Sequence, residues 1–226
     1  MSDLTLEVVD PEGAVSEALG RVSGDSRAAF LRKASVGGAA LLAALGRPPS
    51  GETATASDVD ILNYALTLEY LQASFYTEAE RVGALTGRAA QAARVVGAVE
   101  RAHVKAFRKA LGSAAVKRPT FDFRGTTEDQ TPFLKTAVAF EDLATAAYKA
   151  QAPLITSKAV LAVAISIHSV EARHAAWMRW LFGILPAARA FDDPLSRPAV
   201  TKIVASSHFI VATGETGAKG QPVFTG

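Results

Sequence analysis

The chain has 226 residues, with 24 Lys+Arg against 22 Asp+Glu, 49% hydrophobic residues and no cysteine. That length suits one ordinary domain with processed ends, and the apolar content is enough for a real core. A formal charge of +2 argues against a nucleic-acid partner; zero cysteines exclude disulfides, iron–sulfur clusters and thiol catalysis, and four histidines oblige any metal site to lean on carboxylates.

Residues 1–25 are acidic and lack sustained apolar periodicity. Next comes Ser26-Arg27-Ala28-Ala29-Phe30-Leu31-Arg32-Lys33, then a run of small and apolar residues from Ala34 to Gly46, ended by Arg47, Pro48 and Pro49. An apolar run of about 13 residues cannot span a bilayer, which needs about 20, so no stable membrane span is expected. The basic patch, the short apolar run and Ala54-Thr55-Ala56 together read as an export signal, with the mature chain starting at Ser57. The patch resembles the twin-arginine export motif, with Ala28 where the second arginine belongs. The expected location is the periplasm, cell envelope or medium, or the cytoplasm should the signal be non-functional. The competing reading of this segment is an amphipathic helix packed on the domain or on a membrane surface.

From Ser57 to Leu185 apolar residues recur at helical spacing. A first helix is expected over 58–82, after a Ser57/Asp58 cap signal and before Gly83. A second covers 88–111 and stops at Gly112; a third covers 131–150 with Pro132 in its first turn; a fourth covers 157–182 and stops at Gly183. Short links join the first to the second and the third to the fourth, which makes two antiparallel hairpins. Between the hairpins lie roughly 18 residues, Ser113 to Gln130, which when extended reach about 60 Å, against about 36 Å for a helix of about 24 residues. The expected fold is all-α: a four-helix bundle over 57–185 made of two antiparallel hairpins joined by one long crossover, the ferritin-like topology. Residues 1–56 form an N-terminal segment. Residues 186–226 form a strap or tail, with a short helix expected near 198–206.

The second helix carries Glu100-Arg101-Ala102-His103 and the fourth carries Glu171-Ala172-Arg173-His174. Chance predicts fewer than one Glu-x-x-His pair from so few histidines, and two occur on partner helices of the two hairpins. Spacing i, i+3 sets a carboxylate and an imidazole on one helix face, within reach of one metal ion. Both pairs continue apolar stripes: Ala93, Val96, Glu100, His103, Phe107 on one helix and Ile167, Glu171, His174, Met178 on the other. The first and third helices each place one glutamate on the apolar stripe, Glu69 and Glu141, followed seven residues later by Tyr76 and Tyr148. Glu69 to Glu100 is 31 residues and Glu141 to Glu171 is 30, so the hairpins read as pseudo-twofold copies. Four carboxylates carry four negative charges and two divalent ions balance them. No Arg or Lys stands on the four inward stripes to do so instead.

Glu on the first helix, Glu-x-x-His on the second, Glu on the third and Glu-x-x-His on the fourth match the ligand pattern of ferritin-like dimetal carboxylate proteins. The segments Leu62-Asn63-Tyr64-Ala65-Leu66-Thr67-Leu68-Glu69-Tyr70-Leu71 and Val170-Glu171-Ala172-Arg173-His174-Ala175-Ala176-Trp177 resemble the exported bacterial ferritin-like domain family, related to plant desiccation-associated proteins. The resemblance covers about residues 57–185. It implies two iron or two manganese ions, with Glu100 and Glu171 bridging, Glu69 and Glu141 terminal, and one histidine completing each metal.

Four further residues are candidates to support such a site. Tyr76 and Tyr148 read as core aromatics with hydrogen-bonded hydroxyls, able to tune the centre or protect it from radicals. His168 reads as a core or supporting histidine. Gln72 either hydrogen-bonds a ligand carboxylate or faces solvent. Trp177 and Trp180 read as packing or interface residues, and Arg101 and Arg173 as solvated surface. The expected activity is a dinuclear oxidoreductase reacting with dioxygen or hydrogen peroxide, of ferroxidase or peroxide-detoxifying type, with a homodimer as a plausible assembly. The alternative is a non-catalytic exported stress protein whose metals hold the bundle together.

Overall fold

A reciprocal cap starts the first helix. Thr55 stands in extended backbone, its hydroxyl accepts from Asp58 N, and the Asp58 carboxylate accepts from Thr55 N at 3.2 Å. Helix α1 therefore runs Ala56–Val82, two residues earlier than the Ser57/Asp58 cap signal implies, and Gly83 ends it in left-handed backbone at φ 70°. The computed structural model describes residues 55–212, and of Ala56 and Ala212 only the backbone. The export-signal reading of residues 1–56 thus lies almost wholly outside the described residues, as does the tail from 213 onward. Cleavage after Ala56 would remove Thr55 and with it the α1 cap.

Helix α2 spans Gly87–Leu111 and Gly112 follows it. Helix α3 spans Gln130–Gln151, with the Asp129 side chain accepting from Thr131 N. Helix α4 spans Lys158–Leu181, capped by Ser157, whose hydroxyl accepts from Val160 N. Helix α5 spans Arg197–Ser207, with proline in its first turn. The strongest packing joins α1 to α2 and α3 to α4, and weaker contacts join α1 to α3 and α2 to α4. The result is two hairpins assembled into the expected all-α four-helix bundle.

The crossover does more than travel. Its Thr120–Phe121 strand, β1, pairs antiparallel with β2, Ile210–Ala212, from the C-terminal segment. Phe123 from the crossover and Phe209 from the C-terminal segment enter a ring cluster around Phe75, which also takes in Tyr76, Phe133 and Phe140. Phe75 and Tyr76 are fully buried, and such ring pairs add about 0.5–1.5 kcal/mol each beyond their burial. Val200 and Val204 bury one side of α5, and Leu195 N donates to Ala146 O on α3 at 3.1 Å. Through residue 212 the C-terminal segment is therefore a strap seated on the bundle. Among the described residues no helix is long and apolar enough to cross a membrane.

Candidate metal centre

Each helix delivers its ligand-type side chain from the middle of its buried stripe. Glu69, Glu100, Glu141 and Glu171 are all 0% exposed, and His103 and His174 are buried beside them. The helices bring the six into two overlapping groups. Glu69, Glu100, His103 and Glu171 offer donor atoms within 4.8 Å of one another, and so do Glu100, Glu141, Glu171 and His174. Glu100 and Glu171 belong to both groups; each remaining glutamate and histidine belongs to one. His103 Nδ1 lies 3.1 Å from Glu69 Oε2, 3.2 Å from Glu171 Oε1 and 3.6 Å from Glu100 Oε2. His174 Nδ1 lies 2.9 Å from Glu100 Oε1 and 3.5 Å from Glu141 Oε2.

The tyrosines work across the pair of hairpins. Tyr76 on α1 donates to Glu141 Oε1 on α3 at 2.5 Å, and Tyr148 on α3 donates to Glu69 Oε1 on α1 at 2.5 Å. Each phenol therefore fixes one oxygen of the glutamate on the opposite hairpin and leaves the other oxygen to the centre. Burial, then the facing carboxylates, raises both phenol pKa values well above 10, so they remain donors.

Gln72 resolves to the interior. Its Nε2 donates to Glu141 Oε2 at 3.1 Å and to Glu171 Oε2 at 3.3 Å, with the residue only 2% exposed. Position i+3 from Glu69 is the one signal that could have assigned it, since the same spacing joins each Glu-x-x-His pair. The matching position on α3, three residues after Glu141, is Ala144, also buried. The pseudo-twofold is broken there. His168 stands apart: it is half-buried, belongs to neither group, and its Nε2 has no hydrogen-bond partner. Burial lowers its pKa, so the imidazole is neutral near pH 7. Arg101 is half-exposed and bound to Glu80 and Thr77, Arg173 is exposed, and the exposed Trp180 ring lies under the Arg88 guanidinium at 5.1 Å.

Four buried carboxylates at one level can be neutralised by protons or by cations, and the electrostatics show the strain of using protons. Burial pushes Glu69 up to about 7, against the pull of His103. Burial and then the Glu100 charge push Glu171 well above the carboxylate range. Burial alone would raise Glu100 as well, but His103 and His174 outweigh it and hold its pKa down. Those carboxylates in turn hold both imidazoles protonated against the opposing effect of burial. Even so, both oxygens of Glu100, Glu171 Oε1 and His174 Nδ1 are buried without a hydrogen bond of acceptable geometry. Orphaned donor atoms in two overlapping groups, drawn from four carboxylates and two imidazoles, suit divalent cations of oxygen- and nitrogen-seeking type.

Four helices around one level of glutamates and histidines define a ferritin-like bundle with a buried cluster able to bind metal. The chain belongs to the ferritin-like domain family, whose model matches residues 57–183. No curated protein matches the chain.

Proposed function

We propose that the protein is a dinuclear carboxylate oxidoreductase of the cell envelope, holding two iron or two manganese ions and reacting with dioxygen or hydrogen peroxide. The observation that carries this reading is the sharing of Glu100 and Glu171 between the two donor groups. Glu69 and His103 would hold one ion, Glu141 and His174 the other, and Glu100 and Glu171, which belong to both groups, would serve both. Bound there, the metal pair supplies the electrons that reduce the oxidant. The chain's own part is to hold and to exclude. Tyr76 and Tyr148 orient the terminal carboxylates, Gln72 restrains Glu141 and Glu171 on one side, and the apolar stripes keep bulk water from the centre. The basic patch and apolar run before Ala56 support export.

The complete burial of all four glutamates favours a second reading, a stress protein in which the metal pair fastens the two hairpins together. One experiment separates the two. Protein isolated from its own host is analysed for metals and then mixed with peroxide while its optical spectrum is followed. About two iron or manganese ions per chain with a spectral change is the expected result. Bound but unreactive metal supports the structural reading, and a folded protein isolated with neither metal overturns both.

A further inference from the structure

The α1–α2 hairpin carries a second concave feature, on its outer side. A groove of about 760 Å³ runs between α1, α2 and the start of the crossover. Arg101, Lys105, Arg108, Lys109, Lys117 and Arg118 line it, and among the described residues no Asp or Glu does. A chain with a formal charge of only +2 has therefore gathered a quarter of its 24 Lys+Arg at one place. Glu80 offsets Arg101 through a 2.9 Å ion pair, and Lys105, Arg108, Lys109 and Lys117 have no carboxylate among the groove-lining residues.

The far wall is anchored rather than loose. Asn63 on α1 uses both ends of its amide on the crossover: Nδ2 donates to Ala114 O at 2.9 Å, and Oδ1 accepts from Val116 N at 2.8 Å. The Tyr70 hydroxyl adds a longer bond to Val116 O at 3.4 Å. These bonds fix Ala114 and Val116, and so hold the backbone that leads into Lys117 and Arg118, which line the same groove as Lys105 and Arg108. Asn63 is not one of the six ligand-type residues, and its side-chain hydrogen bonds go to the crossover.

We propose that this groove is a preformed binding site for a run of phosphate groups, carried by a condensed phosphate or a nucleoside triphosphate. Several cations from α2 and the crossover lining one groove suit a ligand with several negative charges close together, which a phosphate chain supplies. Arginine forks hold phosphate oxygens in pairs, and lysines add point charges. The volume lies within the range of small-molecule sites, whereas a nucleic-acid surface would extend its positive charge well beyond one groove.

The test is calorimetric titration of the full chain at near-physiological salt with tripolyphosphate, ATP and inorganic phosphate. Tripolyphosphate is expected to bind saturably at one site per chain, with inorganic phosphate at least about tenfold weaker. Equal affinity for ATP and tripolyphosphate assigns recognition to the phosphates alone, and tighter ATP binding assigns a contribution to the nucleoside; both support the site. Lys105→Ala with Arg108→Ala is expected to weaken tripolyphosphate binding by about tenfold or more. Asn63→Ala, which removes no charge, is expected to weaken it several-fold by freeing the far wall. Unchanged helical circular dichroism in both variants shows that the fold is kept. Glu100→Ala with Glu171→Ala is expected to leave phosphate binding intact, which separates this site from the metal centre. Absence of saturable binding, wild-type affinity in the Lys105→Ala/Arg108→Ala chain, or tighter binding of a 12-residue single-stranded oligonucleotide would each overturn the proposal.

Discussion

In the α1–α2 hairpin the helices close on Gly97, where an added Cβ would lie 2.8 Å from the Cβ of Tyr76 and 2.5 Å from Glu80 Oε1. At the matching place in the α3–α4 hairpin, three residues before the shared glutamate, stands His168, half-buried with a free Nε2. Gln72 braces two carboxylates from the first hairpin, and Ala144 offers nothing at the same height in the second. The first hairpin carries the basic groove on its outer side. On the second, Asp142 and Arg179 form a two-bond ion pair. Ligand positions repeat because six donor atoms must converge within a few ångströms. Surrounding residues face no such demand, and there the two hairpins differ. The two halves of the centre are consequently unlike, although their donor types are the same.

The largest loss comes from removing what the two halves of the centre share. Glu100→Ala with Glu171→Ala should take metal content from about two ions per chain to none, while Glu69→Ala or Glu141→Ala alone should remove about one. Elemental analysis of the purified variants checks this, and two retained ions in the double variant would refute the ligand assignment. Substitution at the matched positions comes next. Gly97→Ala must push apart backbone-attached atoms of α1 and α2 and should cost about 1–3 kcal/mol in urea unfolding. His168→Ala, which breaks no hydrogen bond at Nε2, should cost less than about 1 kcal/mol. Equal losses at the two positions would show that the hairpins are equally close-packed.

Asp58 tests the join between the hairpins rather than their difference. Its carboxylate accepts from Thr55 N at the start of α1 and from Thr156 N and Ser157 N ahead of α4. Burial would raise its pKa, but those backbone donors, Thr156 first, outweigh it and hold the value below 3.8. A depressed folded-state pKa means that the stabilisation is complete above pH 3.8 and fades as the pH falls through the folded value. Asp58→Ala should therefore cost about 1–2 kcal/mol at neutral pH, and the gap from the unsubstituted protein should shrink in acid. Urea midpoints measured from pH 7 to pH 3 decide it; a gap independent of pH would rule out the ionised carboxylate as the source.

The finest effect concerns Gln72. By donating to Glu141, which belongs to one donor group, as well as to the shared Glu171, it withdraws more charge from the Glu141–His174 half than from the Glu69–His103 half. Gln72→Ala should bring the two stepwise metal affinities closer by about threefold to tenfold, as loss of one or two charge-assisted hydrogen bonds allows. Metal titration by calorimetry reads this directly, and an unchanged separation of the two steps would assign the inequality elsewhere.

The four helices, their pairing into hairpins and the inward direction of Glu69, Glu100, His103, Glu141, Glu171 and His174 were legible in the residue pattern. Helical period, Gly stops and i, i+3 spacing are local properties, and a carboxylate on an apolar stripe has nowhere to point but the core. The start of α1 was misplaced by two residues because Thr55 and Asp58 cap reciprocally, a geometry that single-residue cap preferences do not distinguish from a Ser57 start. Other features depended on which helix stands opposite and at what height, which periodicity does not encode. Among these are the crossed bonds from Tyr76 to Glu141 and from Tyr148 to Glu69, and the inward amide of Gln72. The same holds for the exclusion of His168 from the cluster, despite its place one turn before Glu171. Phe123 and Phe209 make the point most plainly: each lies in a segment without helical pattern, and only the tertiary structure, by folding crossover and strap together over Phe75, makes them core. Local periodicity determined the helices and the faces of their ligands; contact between distant segments, set by burial and hydrogen-bond satisfaction, decided everything that supports them.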